Sequence, residues 1–138
     1  MKSLTDYTSE KQTELFNRLG AFFAFSTKQF EEAHDPKVKK YVNCGAGLIC
    51  PKHHVEELLT ELEAIHSAGI KQDIEENGPA AILEREYFNY ETQLTCNTEP
   101  VKDALSDYFE QYPELFTPEL IELTFKRCFK LAQKNNWF

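Results

Sequence analysis

Apolar positions recur along this chain at helical spacing almost from end to end. Leu15, Phe16, Leu19, Phe22 and Phe23 follow the i, i+3, i+4, i+7 rule of a helix with one buried face. They predict a helix from about Ser9 to Ala24, with Gly20 as a weak point inside it. The aromatic run Phe22-Phe23-Ala24-Phe25 reads equally well as a short buried strand. Ser26-Thr27-Lys28-Gln29 has the form of a capping box, in which the hydroxyl and the amide three residues on satisfy orphan backbone donors. Phe25 and Phe30 flank it as a hydrophobic staple. A short helix then runs to about His34, where Asp35-Pro36 ends it.

Tyr41 to Cys50 is the least helical stretch. Gly45-Ala46-Gly47 marks a turn or a close backbone approach. Tyr41-Val42 and Leu48-Ile49 on either side predict a small hairpin that pairs with the Phe22–Phe25 segment. Pro51 then reads as the first residue of a helix, where a missing N–H costs nothing. Val55, Leu58, Leu59, Leu62 and Ile65 form its apolar stripe, with Glu56, Glu57, Glu61 and Glu63 largely off it. Gly69 is expected to end this helix in a left-handed conformation, with Ile70 packing back on Ile65. A short acidic piece follows from Lys71 to Glu76.

Asn77-Gly78 and Pro79 open another helix, with a core face of Leu83, Tyr87, Tyr90 and Leu94. Thr98-Glu99-Pro100 starts the next, with Val101, Leu105, Tyr108 and Tyr112 inward and Pro113 as its stop. Thr117-Pro118 caps the last, which carries Ile121, Thr124, Phe125, Cys128 and Ala132 inward. The expectation is a mainly α fold, one domain over residues 1–138. It has five to seven helices and a small β-hairpin or strand pair near residues 22–25 and 41–50.

Composition narrows the function classes. At 138 residues, with 41% hydrophobic and 13% aromatic content, the chain has enough apolar material for a core. Its formal net charge of -8 argues against direct binding to nucleic acid or to an anionic membrane, which runs on clustered Lys and Arg. That charge is concentrated in one place. Residues 1–54 carry eight bases and six acids, residues 92–138 five bases and seven acids, and residues 55–91 ten acids against Lys71 and Arg85 alone. The polar start and the lack of any apolar run longer than Leu19–Phe25 fit a cytoplasmic protein. The scattered Cys44, Cys50, Cys96 and Cys128 read as reduced thiols.

Four constellations carry candidate chemistry. Cys44, Cys50, His53, His54 and His66 are metal-ligand types, but they lack the tight pair spacing that zinc sites use. Glu84, Glu86, Asn89 and Glu91 are candidates for carboxylate catalysis or metal binding on the helix after Pro79. Glu84 and Glu91 lie roughly 10 Å apart along one helix line, so the default is a solvated face. The acidic middle is a candidate surface for a basic partner, as a mimic of nucleic acid. Trp137 and Phe138 close the chain as two large aromatics that either fold back on the core or anchor a partner. No phosphate-binding loop, dinucleotide fingerprint or nucleophile elbow occurs, and no cofactor is expected.

Several of these segments together resemble a known group. Ala24-Phe25-Ser26 with Gln29-Phe30, Gly45-Ala46-Gly47 and Pro51-Lys52 form one part. Glu63-Ala64-Ile65-His66, Gly69-Ile70-Lys71 and Asp73-Ile74-Glu75-Glu76-Asn77-Gly78 form the second. Ile82, Glu84, Glu86, Asn89 and Glu91, with Val101, Asp103, Ala104 and Leu105, form the third. The pattern, over residues 15–112, resembles a family of small uncharacterised proteins carried by bacteriophages and by integrated or conjugative elements of gut bacteria. The group has no assigned activity, and its frequent Asn-His-Glu stands here as Asn89-Tyr90-Glu91. The resemblance implies a non-enzymatic accessory factor that binds a protein partner. The candidate contacts are Gly45, Gly47, Lys52, Trp137 and Phe138. A small carboxylate- or metal-dependent enzyme and an acidic nucleic-acid mimic are the alternatives.

Overall fold

A computed structural model describes all residues, Met1 to Phe138. Its class is the expected one, eight α-helices with a small antiparallel sheet. The chain divides into two compact units, Lys2–Lys71 and Gln72–Phe138.

In the first unit, α1 (Leu4–Leu19) starts five residues earlier than its apolar stripe predicts. The backbone N–H of Ser3 donates to the Asp6 carboxylate at 2.8 Å, which caps the helix and holds that carboxyl below its usual range. Gly20 does not sit inside the helix. It ends it, at φ 71°, the left-handed conformation that glycine adopts without a Cβ penalty. Phe22–Phe23 then form β1, so the strand reading prevails over the helical one. The pair is only partly covered, and Phe23 remains exposed. Ser26 caps α2 (Thr27–Ala33) by accepting from the Gln29 N–H at 3.2 Å. The Gln29 amide returns to the Phe25 N–H at 2.7 Å, one residue before the cap. Instead of a staple, Phe25 stacks on Phe23 while Phe30 packs against Phe22 and Tyr41.

Strands β2 (Tyr41–Asn43) and β3 (Leu48–Pro51) make the predicted hairpin, and β3 lies between β1 and β2. Phe22 pairs with Ile49 and Val42 with Cys50. Gly45, Ala46 and Gly47 all have positive φ. At Gly47 a Cβ would lie 2.3 Å from the Phe25 ring, so the glycine serves both turn and contact. Pro51 does not open the following helix. It closes β3, where a residue without an N–H ends a ladder, and a 3₁₀ turn, Lys52–His54, leads into α3 (Val55–Asn77). Leu15, Leu19, Ala21, Leu48, Cys50 and Leu58 form the core of this unit, with Val55, Leu62 and Ile65 packed against it.

Helix α3 passes straight through Gly69, so the expected cap there is not made. Gly69 is buried, and a Cβ on it would come within 2.5 Å of Thr8 Cγ2 and 3.2 Å of Leu4 Cδ1. The glycine permits close approach of α1. The acidic piece Lys71–Glu76 is the continuation of the same helix.

The second unit is helical. Gly78 and Pro79 begin α4 (Pro79–Asn89), which buries Ile82, Leu83 and Tyr87. Tyr90 and Leu94, expected on the same face, are exposed because the helix stops first and Glu91 takes a left-handed conformation. A four-residue α5 (Thr92–Thr95) follows, closed by Cys96, also left-handed. The predicted helix after Thr98 is two short ones, α6 (Glu99–Ala104) and α7 (Ser106–Gln111), that break at Leu105. Val101, Leu105 and Tyr108 still point inward. Thr117 accepts from the Leu120 N–H at 3.2 Å and caps α8 (Pro118–Asn135) as predicted. Helix α4 packs on α8, with Tyr87 against Phe125.

Candidate functional site

Asp73, near the end of α3, has no exposed surface. Its carboxylate is held by four donors. Arg85 of α4 makes a bidentate pair, Nη1 to Oδ1 and Nη2 to Oδ2, each at 2.9 Å. Tyr108 of α7 donates its hydroxyl to Oδ2 at 2.5 Å, and Asn77 donates to Oδ1 at 2.8 Å. Asn77 lies four residues after Asp73 on the same helix, so local periodicity supplies that donor. Gly78-Pro79 supplies the turn from which α4 delivers Arg85. Burial by itself would push the Asp73 carboxyl up, but the Arg85, Tyr108 and Asn77 hydrogen bonds together hold it below its ordinary value. Burial and the adjacent carboxylate push Tyr108 up. The carboxylate is fully committed, so this cluster is a structural clamp rather than an acid–base centre.

The catalytic candidates divide over this frame. Glu86 accepts from Arg85 Nε at 2.7 Å and from Asn89 Nδ2 at 3.2 Å, which joins both residues to the clamp. Glu84 faces Arg127 at 3.6 Å, and Glu91 is exposed beyond the helix end. The metal-ligand types do not converge, and no group of three or more His, Cys, Asp or Glu residues is arranged to hold a metal ion. Cys50 is buried in the core while Cys44 is half-buried, and the His53 and His54 rings lie tilted to one another, their centres 4.1 Å apart. All four cysteines are free thiols. Gly45 and Gly47 form the hairpin turn, and Lys52 begins the 3₁₀ turn at the other end of β3. Trp137 and Phe138 fold back onto Phe88 and Phe129, at ring distances of 5.6 and 5.9 Å, yet each keeps about half its surface exposed.

Sequence reasoning missed an open cleft of about 1010 Å³ along α8 in the second unit. Pro118, Ile121, Phe125, Phe129 and Gln133 line it as one stripe of that helix, at spacings of three to four residues. Tyr87, Thr92, Cys96, Thr98, Lys102 and Phe109 face them from α4 to α7. The stripe runs about 22 Å at 1.5 Å per residue. Thr92 is 1% exposed, and its hydroxyl has no hydrogen-bond partner although it lines the cleft. A buried hydroxyl left unpaired costs about 1–3 kcal/mol. Lys102, Lys126 and Lys130 edge the apolar floor. Lys126 is paired to Glu122 at 2.9 Å, whereas Lys102 and Lys130 have no ion pair. The signal in the sequence was the width of the apolar arc on α8, where Phe129 adds to the inward set and Ile121, expected inward, is only half-buried.

Residues 4–126 match the model of a family of unknown function, DUF7659. The chain belongs to that family. The matched span takes in the whole Asp73 clamp of this DUF7659 protein and the cleft as far as Lys126, and it is wider than the resemblance over residues 15–112. No curated protein and no solved structure matches the chain. No helix is long and apolar enough to cross a membrane.

Proposed function

We propose that this DUF7659 protein is a non-catalytic interaction factor whose second unit receives an amphipathic helix of a protein partner in the cleft along α8. The cleft itself carries the reading. It is open and floored by Ile121, Phe125 and Phe129, and it is about four helical turns long. That is the shape in which grooves take the apolar face of a helix. Three lysines against Glu122 give its edges a positive balance in a chain of net charge -8, so the partner helix carries acidic residues beside its apolar stripe. The unpaired Thr92 hydroxyl gains a polar side chain of the partner. An accessory role on a bacteriophage or an integrated or conjugative element, which the sequence resemblance implies, fits a protein that acts by binding. A carboxylate enzyme draws less support, because Glu86 is tied to Arg85 and Asn89. A nucleic-acid mimic also draws less, because Asp73 is buried and Glu57 faces Arg18.

Cys96 lines the cleft and is exposed, which places a thiol-directed photo-crosslinker where the partner would lie. Crosslinking in host lysate, followed by peptide mapping, should return an acidic segment with apolar residues at helical spacing. Ile121→Glu and Phe129→Glu should abolish that product with the helical circular dichroism unchanged. Peptides from a second copy of this chain, or a product indifferent to both substitutions, would refute the proposal.

A further inference from the structure

The first unit holds a separate concavity of about 610 Å³, lined by Lys37, Val38, Lys39, Lys40, Lys52 and His53. We infer that it is a binding site for a compact anion bearing several adjacent phosphate groups. The backbone fixes the arrangement. The Lys52 N–H donates to the Lys40 carbonyl at 3.0 Å, one step beyond the Tyr41–Pro51 pair, which holds the two lysines side by side at the end of the ladder. The turn before β2 is closed by the Val38 N–H on the Asp35 carbonyl at 3.0 Å. The Asp35 carboxylate accepts the Lys37 backbone N–H at 2.9 Å and forms no ion pair with the lysine side chains.

Four lysines therefore line one hollow, and none of them is in an ion pair. The arginines are ion-paired, as Arg18 with Glu57 and Arg85 with Asp73, whereas these four lysines gather at one place without a counter-charge. Like charges gathered around one hollow repel one another, and an anion seated among them relieves the repulsion. Lysine ammonium groups bind phosphate as compact point charges with three donors each. The volume falls within the range of small-molecule sites, about 300–1,000 Å³. A small ligand is favoured over a long nucleic acid because the net charge of -8 on the chain opposes an extended polyanion.

Titration calorimetry of the full chain with sodium tripolyphosphate, at about 50 mM salt, tests the site. Saturable binding is expected, weakened at least about tenfold by the pair Lys39→Ala and Lys52→Ala, and unchanged by Lys11→Ala on α1. Circular dichroism of the double variant should match the unsubstituted chain, since both lysines are exposed. Sulfate should bind far more weakly, because a single anion cannot span the hollow. Heat that never saturates, or affinity indifferent to the double substitution, would overturn the site. Tighter binding of a single-stranded oligonucleotide than of tripolyphosphate would overturn the small-ligand assignment.

Discussion

Tyr108 donates its hydroxyl to Asp73 across thirty-five positions of sequence, with an oxygen separation of 2.5 Å, inside a unit where Asp73 has no contact with solvent. With Arg85 and Asn77 this hydrogen bond joins the end of α3 to α4 and α7. A buried carboxylate with all its donors in place makes breaking the set costly, because any survivor is left charged and dry.

Asp73→Asn should lower the stability of the second unit by about 3 kcal/mol, since Arg85 loses its fully buried counter-charge. Tyr108→Phe removes one hydrogen bond to a charged group and should cost about 1.5–3 kcal/mol. Urea titration followed by the fluorescence of Trp137, the single tryptophan, measures both. Losses below about 0.5 kcal/mol in both variants would show that the clamp contributes little.

The same carboxylate sets an acid limit. Its folded-state value lies below the unfolded one, so its contribution is fully present above about pH 4 and is lost as pH falls through the folded value. The unsubstituted protein should lose stability over that acidic window more steeply than Asp73→Asn. Parallel pH profiles of urea midpoints for the two would contradict this.

Gly69→Ala offers a test of sign. In an exposed helix the change would stabilise by about 1 kcal/mol through backbone propensity. Here the new methyl meets Thr8 Cγ2 at 2.5 Å, and the substitution should destabilise. Thr8→Ser removes that methyl while keeping a hydroxyl for the Leu4 carbonyl, so in this background Gly69→Ala should be much less harmful. Thermal melts of the four variants give the coupling directly.

Thiol chemistry should follow burial. Cys96 is exposed and should react first with a soluble aromatic disulfide, with half-buried Cys44 slower. Cys50 and Cys128 are buried, and burial together with Glu84 pushes the Cys128 thiol up to about 11, so both should react only on unfolding. Fast labelling of Cys128 in the native protein would mean that α8 opens readily from α4.

Much of the local architecture was legible from residue order. Thr117 capping α8, Ser26 capping α2 and the hairpin at Gly45–Gly47 each rest on side chains or glycines acting within a few residues. Such interactions carry their geometry in the sequence itself. Two of the misreadings share a cause. Gly20 and Gly69 exchanged the roles assigned to them, because a glycine that ends a helix and one that admits a neighbouring helix look alike until the neighbour is placed.

The sequence by itself determined the helical class, the position of the small sheet and the location of the acidic excess, since periodicity and charge are properties of adjacent residues. Tertiary structure alone decided which of those acids is an internal group. Asp73 reads as one more carboxylate among ten until α4 and α7 deliver Arg85 and Tyr108 to it. It alone decided that Ile121 and Phe129 floor an open cleft, and that four lysines from two ends of a hairpin share one hollow. Burial and unpaired charge depend on what lies nearby in space, and that is fixed only when distant segments pack.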